Sequence, residues 1–362
     1  MLRELSEKYE MVGVSSPGEA LEEVASREGV RVIAVPMERH ISLWHDLRAL
    51  VQMIGVFRKE KPTMVHSMTP KAGLLCMMAA RLARVPVRVH TFTGLLFPTA
   101  KGIKRQILEF TDRLTCACAT HILPEGVGVK NDLINNHITQ KPMKVLGYGN
   151  VRGVDMVTYS RRSEVMQLAE RIREKSPNSF VFVFVGRIVR DKGINELCSA
   201  IDKLSLVRDV KLYLVGKYEE NLDPISERAH EIIVNNPAVE FVGTKYGEDL
   251  LAYYAASDCF VFPSYREGFP NTVLEAGAMG LPSIVTDING SREIIIDGVN
   301  GTIIPTHNED SLYNAMLYMT DNNEACNRMA SRAREMIASR FEQGYVRKCL
   351  YEFYDEILEQ YV

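Results

Sequence analysis

Short apolar runs alternate with amphipathic helical stretches along almost the whole chain of 362 residues. Strands that alternate with helices in this way predict βαβ units and parallel sheets. One series of candidate strands is Met11–Ser15, Val30–Val35, Thr63–His66, Val87–Thr91, His121–Leu123 and Met143–Leu146. A second series is Phe180–Val185, Val210–Val215, Val239–Val242, Cys259–Phe262, Ser283–Thr286 and Gly301–Ile304. The pattern indicates an α/β fold with most strands buried on both faces.

The length of the chain predicts two domains, because single cores rarely grow beyond roughly 250–300 residues. Gly147, Gly149 and Gly153 cluster where the two strand series meet, which is typical of a linker. We therefore expect two Rossmann-like domains facing a cleft, over residues 1–155 and 156–343. The last helix, residues 344–362, is expected to pack back on the first domain.

The first predicted element is a helix, Leu2–Tyr9, and no candidate strand precedes it. Rossmann-type domains usually begin with a strand and a glycine-rich turn. The sequence thus predicts that the first strand of the N-terminal domain is missing.

Composition excludes several classes of protein. A net charge of -3 disfavours a nucleic-acid partner. The seven cysteines include no CxxC pair, which favours reduced thiols over a disulfide framework or a zinc site. No apolar run approaches the ~20 residues that span a bilayer, and the charged start is unlike a signal peptide. These features predict a cytoplasmic protein.

The segment Phe262–Gly277 carries two glutamates, Glu267 and Glu275, and passes from a buried strand through a loop into a helix. Backbone N–H groups around Phe269–Thr272 would then form an anion site at a helix N-terminus. Glu275 lies among apolar residues, where a carboxylate is costly unless it is paired, for example with a ribose diol. Glutamates that merely cap a helix or pair with an arginine are the alternative. The intervening Gly-Phe-Pro-Asn favours a ligand site.

The segment Phe184–Ile194 also passes from strand to loop to helix. Gly186 allows close backbone approach, while Arg187 and Lys192 place two cations at the end of the strand. Two such cations can hold a diphosphate without a metal. A solvated basic loop is the alternative. Since no Asp-x-Asp pair follows a candidate strand, we expect no metal and no cofactor.

Two polar segments follow strands of the first domain, His66–Gly73 and Val89–Gly94. His66 and His90 are candidates to bond a sugar hydroxyl or shuttle a proton. The alternative is that both histidines form their hydrogen bonds within the protein, and the sequence does not favour one interpretation over the other. Lys71 either meets a phosphate or lies in solvent.

The stretch Leu95–Arg105 mixes apolar residues with three cations. This composition is typical of contact with an anionic membrane surface or a lipid-linked acceptor. A loop followed by a basic first helical turn explains it equally well.

Together these segments resemble the retaining glycosyltransferases of family 4, which have the GT-B fold. Glu267 and Glu275 look like the Glu-x7-Glu motif of that family, which implies contacts with the donor sugar and the ribose. Arg187 and Lys192 resemble the pair that binds the donor diphosphate. The resemblance implies catalytic roles for Glu267, Arg187, Lys192 and His90. It implies donor contacts for Gly186, Gly243, Thr244, Gly268, Phe269, Pro270, Asn271, Thr272 and Glu275.

The segments that begin at His66 and His90 resemble one branch of that family. This branch builds capsule, O-antigen and N-glycan precursors on undecaprenyl diphosphate, commonly from UDP-linked N-acetylhexosamines. The acceptor-side candidates are His66, Lys71 and Thr93. Many family members carry histidine where this chain has Thr93. His90 lies nearby in the sequence and is the candidate for the role of that active-site histidine.

The resemblance implies a nucleotide sugar as donor, a lipid-linked saccharide as acceptor and retention of anomeric configuration. The enzyme would work in the cytoplasm, peripherally on the inner face of the plasma membrane. Two alternatives stay open. The missing strand would suit a nucleotide-sugar binding protein without transfer activity. A nucleotide-sugar 2-epimerase shares the fold, although the sequence shows no convincing acid–base set for it.

Overall fold

The computed structural model describes residues 2–38, 42–219 and 223–361. The chain divides into two compact units. Unit 1 comprises Met1–Glu125, Val129–Leu146 and Arg347–Val362, and unit 2 comprises Gly126–Gly128 and Gly147–Val346.

The strands and helices alternate as the sequence predicts. The strands are β1 (Val12–Ser15), β2 (Arg31–Ala34), β3 (Met64–Ser67), β4 (Val87–Phe92), β5 (His121–Pro124), β6 (Phe180–Val185), β7 (Val210–Val215), β8 (Val239–Gly243), β9 (Cys259–Phe262), β10 (Ser283–Thr286) and β11 (Gly301–Ile304). The helices are α1 (Leu2–Leu5), α2 (Glu19–Glu28), α3 (Leu43–Glu60), α4 (Pro70–Leu82), α5 (Gly102–Cys118), α6 (Val127–Asn135), α7 (Ser163–Arg173), α8 (Ile194–Ser205), α9 (Glu227–Asn235), α10 (Gly247–Ala255), α11 (Asn271–Ala278), α12 (Ser291–Ile294), α13 (Glu309–Asp321), α14 (Asn323–Phe341) and α15 (Gln343–Leu358). Short 3₁₀ turns cover Phe97–Thr99, Arg190–Lys192 and Glu359–Tyr361.

Unit 1 contains two parallel sheets, a pair of β1 and β2 and a three-stranded sheet in the order β3-β4-β5. Alternate residues of β4 serve two cores. Phe92 packs in a cluster with buried residues of α3 and α4, including Met53 and Met77. Val87 and Val89 pack in a second cluster with residues of α15, including Phe353. The central strand of this sheet is therefore covered on both faces.

Two sequence predictions for unit 1 have different outcomes. The strand predicted over Met143–Leu146 is wrong: the structure shows only an isolated bridge between Met143 and Ile122. This short segment follows Pro142, which has no N–H to donate to a neighbouring strand. The predicted helix at the start of the chain is present, over Leu2–Leu5. The missing first strand stays a prediction, as do the boundaries at 155/156 and 343/344.

Unit 2 contains one six-stranded parallel sheet in the order β11-β10-β9-β6-β7-β8. The chain builds β6, β7 and β8 outward in one direction and then returns to place β9 on the other side of β6. The connections that follow β6 and β9 therefore lead to helices on opposite faces of the sheet, and the carboxyl ends of the strands at this reversal are where open α/β sheets bind ligands. The uninterrupted apolar run of β6 is buried from Val181 to Val185, as predicted. Among the described residues of both units, no helix is long and apolar enough to cross a membrane.

Candidate functional site

The two chemistry-bearing segments of unit 2 meet where the strand order reverses. One follows β6 and leads into α8, whose N-cap Gly193 has a left-handed backbone with φ 71°. The other follows β9 and leads into α11. A β-carbon added to Gly193 would lie 2.1 Å from the carbonyl oxygen of Pro263. Only glycine therefore allows the two loops to approach so closely.

Backbone and side-chain bonds hold the two loops together. The N–H of Tyr265 donates to the carbonyl of Asp191 over 2.8 Å, and the Ser264 hydroxyl donates to the same oxygen over 3.3 Å. The Arg266 guanidinium lies 3.3 Å from the Asp191 carboxylate. These contacts fix the Lys192 backbone relative to the loop that carries Glu267.

Lys192 and Glu267 form an ion pair. The side chains are only 11% and 18% exposed, so water screens their charges weakly. The Ser264 hydroxyl oxygen lies 3.1 Å from the same Glu267 oxygen, so its single proton is shared between this carboxylate and the Asp191 carbonyl. The structure thus joins two residues that the sequence placed in separate motifs 75 positions apart. A diphosphate at this point would compete with Glu267 for the lysine.

Arg187, the second predicted cation, pairs with a residue that the sequence analysis missed. Its guanidinium donates to Glu219 over 2.8 Å, and the Arg187 side chain is 45% exposed. This hydrogen bond raises the pKa of Arg187 and lowers that of Glu219. Glu219 follows β7, and its position just beyond a predicted strand end was the available signal. Arg187 is thus a fixed cation with an exposed side.

Glu275 lies on α11 and is 8% exposed. Burial raises the pKa of its carboxyl group, and hydrogen bonding to Tyr159 opposes that shift. The hydroxyl of Tyr254 donates to Glu275 over 3.3 Å, and the Arg152 guanidinium lies 3.8 Å away. A ligand diol was the favoured partner of this carboxylate and an arginine the alternative; the structure places Arg152 beside it, together with two tyrosines that the sequence did not indicate. Tyrosines that contribute from other elements leave no local signal near Glu275.

Glycines end the three strands on one side of the reversal. The N–H of Gly186 donates to Val215, and the N–H of Gly216 donates to Gly243. A β-carbon on Gly216 would lie 1.8 Å from the Gly186 carbonyl oxygen. Gly216 therefore belongs to this edge although the sequence analysis did not single it out. Thr244, which follows β8, is exposed.

The predicted anion site at α11 has the expected local structure. Pro270 is the N-cap residue, and the helix begins at Asn271. The first N–H groups of a helix lack partners within it, so those of Asn271 and Thr272 are suited to an anion. Gly268 and Phe269 are buried beneath this turn. The Asn271 side chain accepts a hydrogen bond from Asn150 over 3.1 Å.

The two candidate histidines of unit 1 lie on neighbouring strands. Nδ1 of His90 lies 2.7 Å from the Ser67 hydroxyl, and His90 is 1% exposed. The His66 ring bonds Tyr354 over 2.5 Å and Thr91 over 2.7 Å. Burial lowers the pKa of His66 to about 4 and that of His90 to about 3, so both rings are neutral at pH 7. These contacts favour the interpretation of both histidines as satisfied by the protein.

The other acceptor-side candidates lie near the same strand ends. Lys71 begins α4 and pairs with Asp46 over 2.6 Å. The Thr93 hydroxyl donates to the Met68 carbonyl over 3.1 Å. The structure therefore brings the unit 1 candidates to one edge of the β3-β4-β5 sheet, with Lys71 and Thr93 less buried than His90.

Part of the stretch Leu95–Arg105, for which membrane contact stays a prediction, is buried. Leu95 is 9% exposed and Phe97, which opens the 3₁₀ turn Phe97–Thr99, is fully buried, and both pack in the core of unit 1. Arg105 pairs with Glu109 over 2.8 Å. Leu96 and Ile103 stay exposed, at 41% and 76%. Composition did not distinguish residues that fold inward from those that stay outside.

Comparison with known proteins defines the class first. Solved structures share the fold across nearly the whole chain. Anabaena Alr3699/HepE in complex with UDP aligns with a TM-score of 0.80 at 19% identity, covering 98% of this chain and 95% of that one. A sucrose-phosphate synthase from Thermosynechococcus elongatus aligns with a TM-score of 0.79 at 16% identity, covering 99% and 91%. The fold is therefore GT-B.

The family follows from two domain matches and from curated relatives. Residues 1–149 match the glycosyl transferase 4-like domain, and residues 166–336 match the glycosyl transferases group 1. The capsular polysaccharide biosynthesis glycosyltransferase CapM of Staphylococcus aureus is 31% identical over 96% of this chain and 90% of its own length. A UDP-Gal:alpha-D-GlcNAc-diphosphoundecaprenol alpha-1,3-galactosyltransferase of Escherichia coli is 31% identical over 87% of this chain and 81% of its own. The chain belongs to the group 1 glycosyltransferases with a 4-like N-terminal domain, and it is a glycosyltransferase of capsule or lipid-linked saccharide biosynthesis.

Proposed function

We propose that this protein transfers an N-acetylhexosamine from a UDP-sugar to a lipid-linked saccharide with retention of anomeric configuration. The observation that carries the proposal is the Lys192–Glu267 pair at the strand reversal of unit 2. A cation for the diphosphate and a carboxylate for the sugar hydroxyls are held in contact there. A diphosphate that displaces Glu267 from Lys192 would leave the carboxylate free to bind the sugar hydroxyls, which is the arrangement the proposal requires.

Charge stabilisation is the main chemical task in the proposed reaction. The bond between the anomeric carbon and the donor phosphate oxygen breaks, and the diphosphate leaves with an added negative charge. Arg187, Lys192 and the N-terminus of α11 stabilise that charge, which makes a metal ion unnecessary. The acceptor hydroxyl attacks from the face that the diphosphate leaves, and the departing phosphate oxygen takes its proton. Glu267 orients the sugar throughout.

The proposed donor nucleotide is UDP. Glu275 would bind the ribose, and Gly243 and Thr244 at the end of β8 would contact the base. The Escherichia coli relative is named as a galactosyltransferase that uses UDP-galactose, and Alr3699/HepE forms a complex with UDP; both support this choice. The N-acetylhexosamine class rests on the resemblance of the segments that begin at His66 and His90. A Campylobacter jejuni relative, 22% identical over 99% of this chain, carries an N-acetylgalactosaminyltransferase name.

The proposed acceptor is a saccharide linked to undecaprenyl diphosphate. The Escherichia coli and Campylobacter jejuni relatives are named for acceptors of this kind. Lys71, Thr93 and His66 lie at one sheet edge of unit 1 and are the proposed acceptor-side residues. An acceptor of this kind places the enzyme peripherally on the cytoplasmic face of the plasma membrane.

A donor screen tests the proposal. UDP-GlcNAc, UDP-GalNAc and UDP-galactose are compared by calorimetry for binding and by UDP release for hydrolysis, followed by transfer to undecaprenyl-diphosphate saccharides. Lys192→Ala is expected to weaken UDP binding, because the diphosphate loses a cation. Lys175→Ala, which removes a lysine that is 58% exposed, serves as the control. Binding without transfer would favour the binding-protein alternative, and conversion of the donor sugar would favour the epimerase.

A further inference from the structure

The outer face of α3 exposes four large apolar side chains. Leu43 is 86% exposed, Trp44 78%, Leu47 51% and Val51 61%. Trp44 is the single tryptophan of the chain. We call these four residues the α3 stripe. Side chains of this size are normally buried when they cluster, so a contiguous apolar stripe indicates a surface that meets a partner.

The α3 stripe is separate from the hydrophobic core. At 3.6 residues per turn its four members fall within an arc of about 100° around the helix. Ala49, Met53 and Phe57 form the buried side of the same helix. Packing of unit 1 therefore leaves the stripe uncovered.

The charges beside the α3 stripe are cationic. Arg48 and Arg58 project from the same outer half of the helix and are exposed, and neither forms an ion pair with any residue that the structure describes. The acidic residues of α3 are turned away and neutralised: Asp46 pairs with Lys71 over 2.6 Å, and Glu60 pairs with Arg31. The outer face of α3 is thus apolar and basic without a free acid.

Helix α5 repeats this combination. Ile103, Ile107 and Phe110 are 76%, 50% and 64% exposed, and the first turn contains no acidic residue but includes the exposed Lys104. Helix α4 packs against both α3 and α5. An apolar face rimmed by lysine and arginine is the signature of a helix that lies in the interface of an anionic bilayer.

We propose that unit 1 docks on an anionic phospholipid bilayer through the α3 stripe, with Trp44 at the boundary between headgroups and acyl chains and Arg48 and Arg58 on lipid phosphates. This inference rests on the proposed function, in which the acceptor is lipid-linked. It assigns the main contact to α3, with Ile103 and Lys104 of α5 as the part of the Leu95–Arg105 stretch that shares its apolar and basic character. A bilayer fits better than a second copy of the chain, because a two-fold contact would bring Arg48 and Arg58 towards their own counterparts without a compensating acid.

Fluorescence of the single tryptophan reports directly on this contact. The purified chain is titrated with phosphatidylglycerol–phosphatidylcholine vesicles, and the emission of Trp44 is followed with and without bromine-labelled acyl chains. We expect the emission to shift to shorter wavelength, to be quenched by the brominated lipid and to weaken at high salt or on pure phosphatidylcholine. Vesicle binding needs neither donor nor acceptor, so its outcome is independent of the transferase assay.

Matched variants complete the test. The double variant Leu43→Asp and Leu47→Asp is expected to weaken vesicle binding by about tenfold or more, because each apolar insertion is lost. Leu206→Asp in unit 2 is the control, since Leu206 is 84% exposed and lies outside the stripe. Circular dichroism checks that the variants are folded. Vesicle sedimentation measures the binding of every variant in the same way. Three results would overturn the proposal. The emission of Trp44 could stay unshifted on anionic vesicles, or the double variant could bind as tightly as Leu206→Asp. The third is an emission shift that grows with protein concentration in the absence of lipid.

Discussion

The substitution Glu267→Gln separates two roles of the Lys192–Glu267 pair. The amide keeps the size of the side chain and can still accept the Ser264 hydrogen bond, but it removes the negative charge beside Lys192. Breaking a buried ion pair by removing one partner costs about 3–5 kcal/mol. With side chains 11% and 18% exposed, this pair belongs near the lower bound, at about 3 kcal/mol. We expect the free energy of unfolding to fall by about that amount.

UDP binding should recover part of this loss, because the diphosphate supplies the missing negative charge. Recovery of about half corresponds to roughly tenfold tighter UDP binding, since each 1.4 kcal/mol is a factor of ten. Sugar transfer should fall at the same time by about 10²–10³, the usual range for a lost group that acts on the transition state. The variant is thus expected to bind the nucleotide better and to turn over worse.

Urea unfolding with and without UDP, calorimetry with UDP and a transfer assay measure the three quantities. Glu219→Gln is the matched control, because its partner Arg187 is 45% exposed and the unpaired charge reaches water. We expect that control to change stability much less than Glu267→Gln does. UDP affinity that drops tenfold in Glu267→Gln, or transfer at the parent rate, would refute the reasoning.

Three further predictions test other parts of the account. In thermal unfolding, Gly193→Ala should destabilise the protein by several kcal/mol more than Gly280→Ala does. Both glycines have positive φ, 71° and 78°, but only an alanine at position 193 would place its β-carbon 2.1 Å from a carbonyl oxygen. Glu275→Gln should raise stability at pH 7 and weaken UDP binding. The pKa of Glu275 is raised in the fold, so the wild-type protein loses stability as pH rises above the ordinary carboxyl pKa, and the gain from the substitution should vanish in acid. Equal stability of the two proteins at pH 7 would contradict this. The free energy of unfolding should fall as pH drops below about 6.5, because the pKa values of His66 and His90 in the fold are about 4 and about 3. The loss is up to about 1.4 kcal/mol per pH unit for each histidine. Asparagine at both positions should flatten that slope in urea titrations at stepped pH.

The sequence predicted the elements that depend on local pattern. Apolar runs located all eleven strands that the described residues form. For β6 and β9, which are buried on both faces, little other composition is available. The run at Met143 failed because Pro142, directly before it, has no N–H to donate to a neighbouring strand. Lys192 and Glu267 were both found because each follows such a run, and strand ends of a parallel sheet share one edge.

Residues that act through distant partners could not be predicted in this way. Glu219 belongs to the site because it pairs with Arg187, and Tyr254 because it donates a hydrogen bond to Glu275. The spacing of these residues along the chain predicts neither contact. Exposure is equally non-local. Leu95 and Trp44 are both apolar residues with a leucine as a direct neighbour, yet the first is 9% exposed and the second 78%. The choice between them depends on which side of a helix or turn the remainder of unit 1 covers.

Transfer by the purified chain tests the central claim most directly. Labelled UDP-N-acetylhexosamine and an undecaprenyl-diphosphate saccharide are incubated with the protein in buffer that contains a metal chelator, and the anomeric configuration of the product is determined. The account predicts a transferred sugar whose configuration equals that of the donor, with turnover abolished in Lys192→Ala. An inverted product, a strict requirement for a divalent metal ion, or undiminished transfer by Lys192→Ala would contradict it.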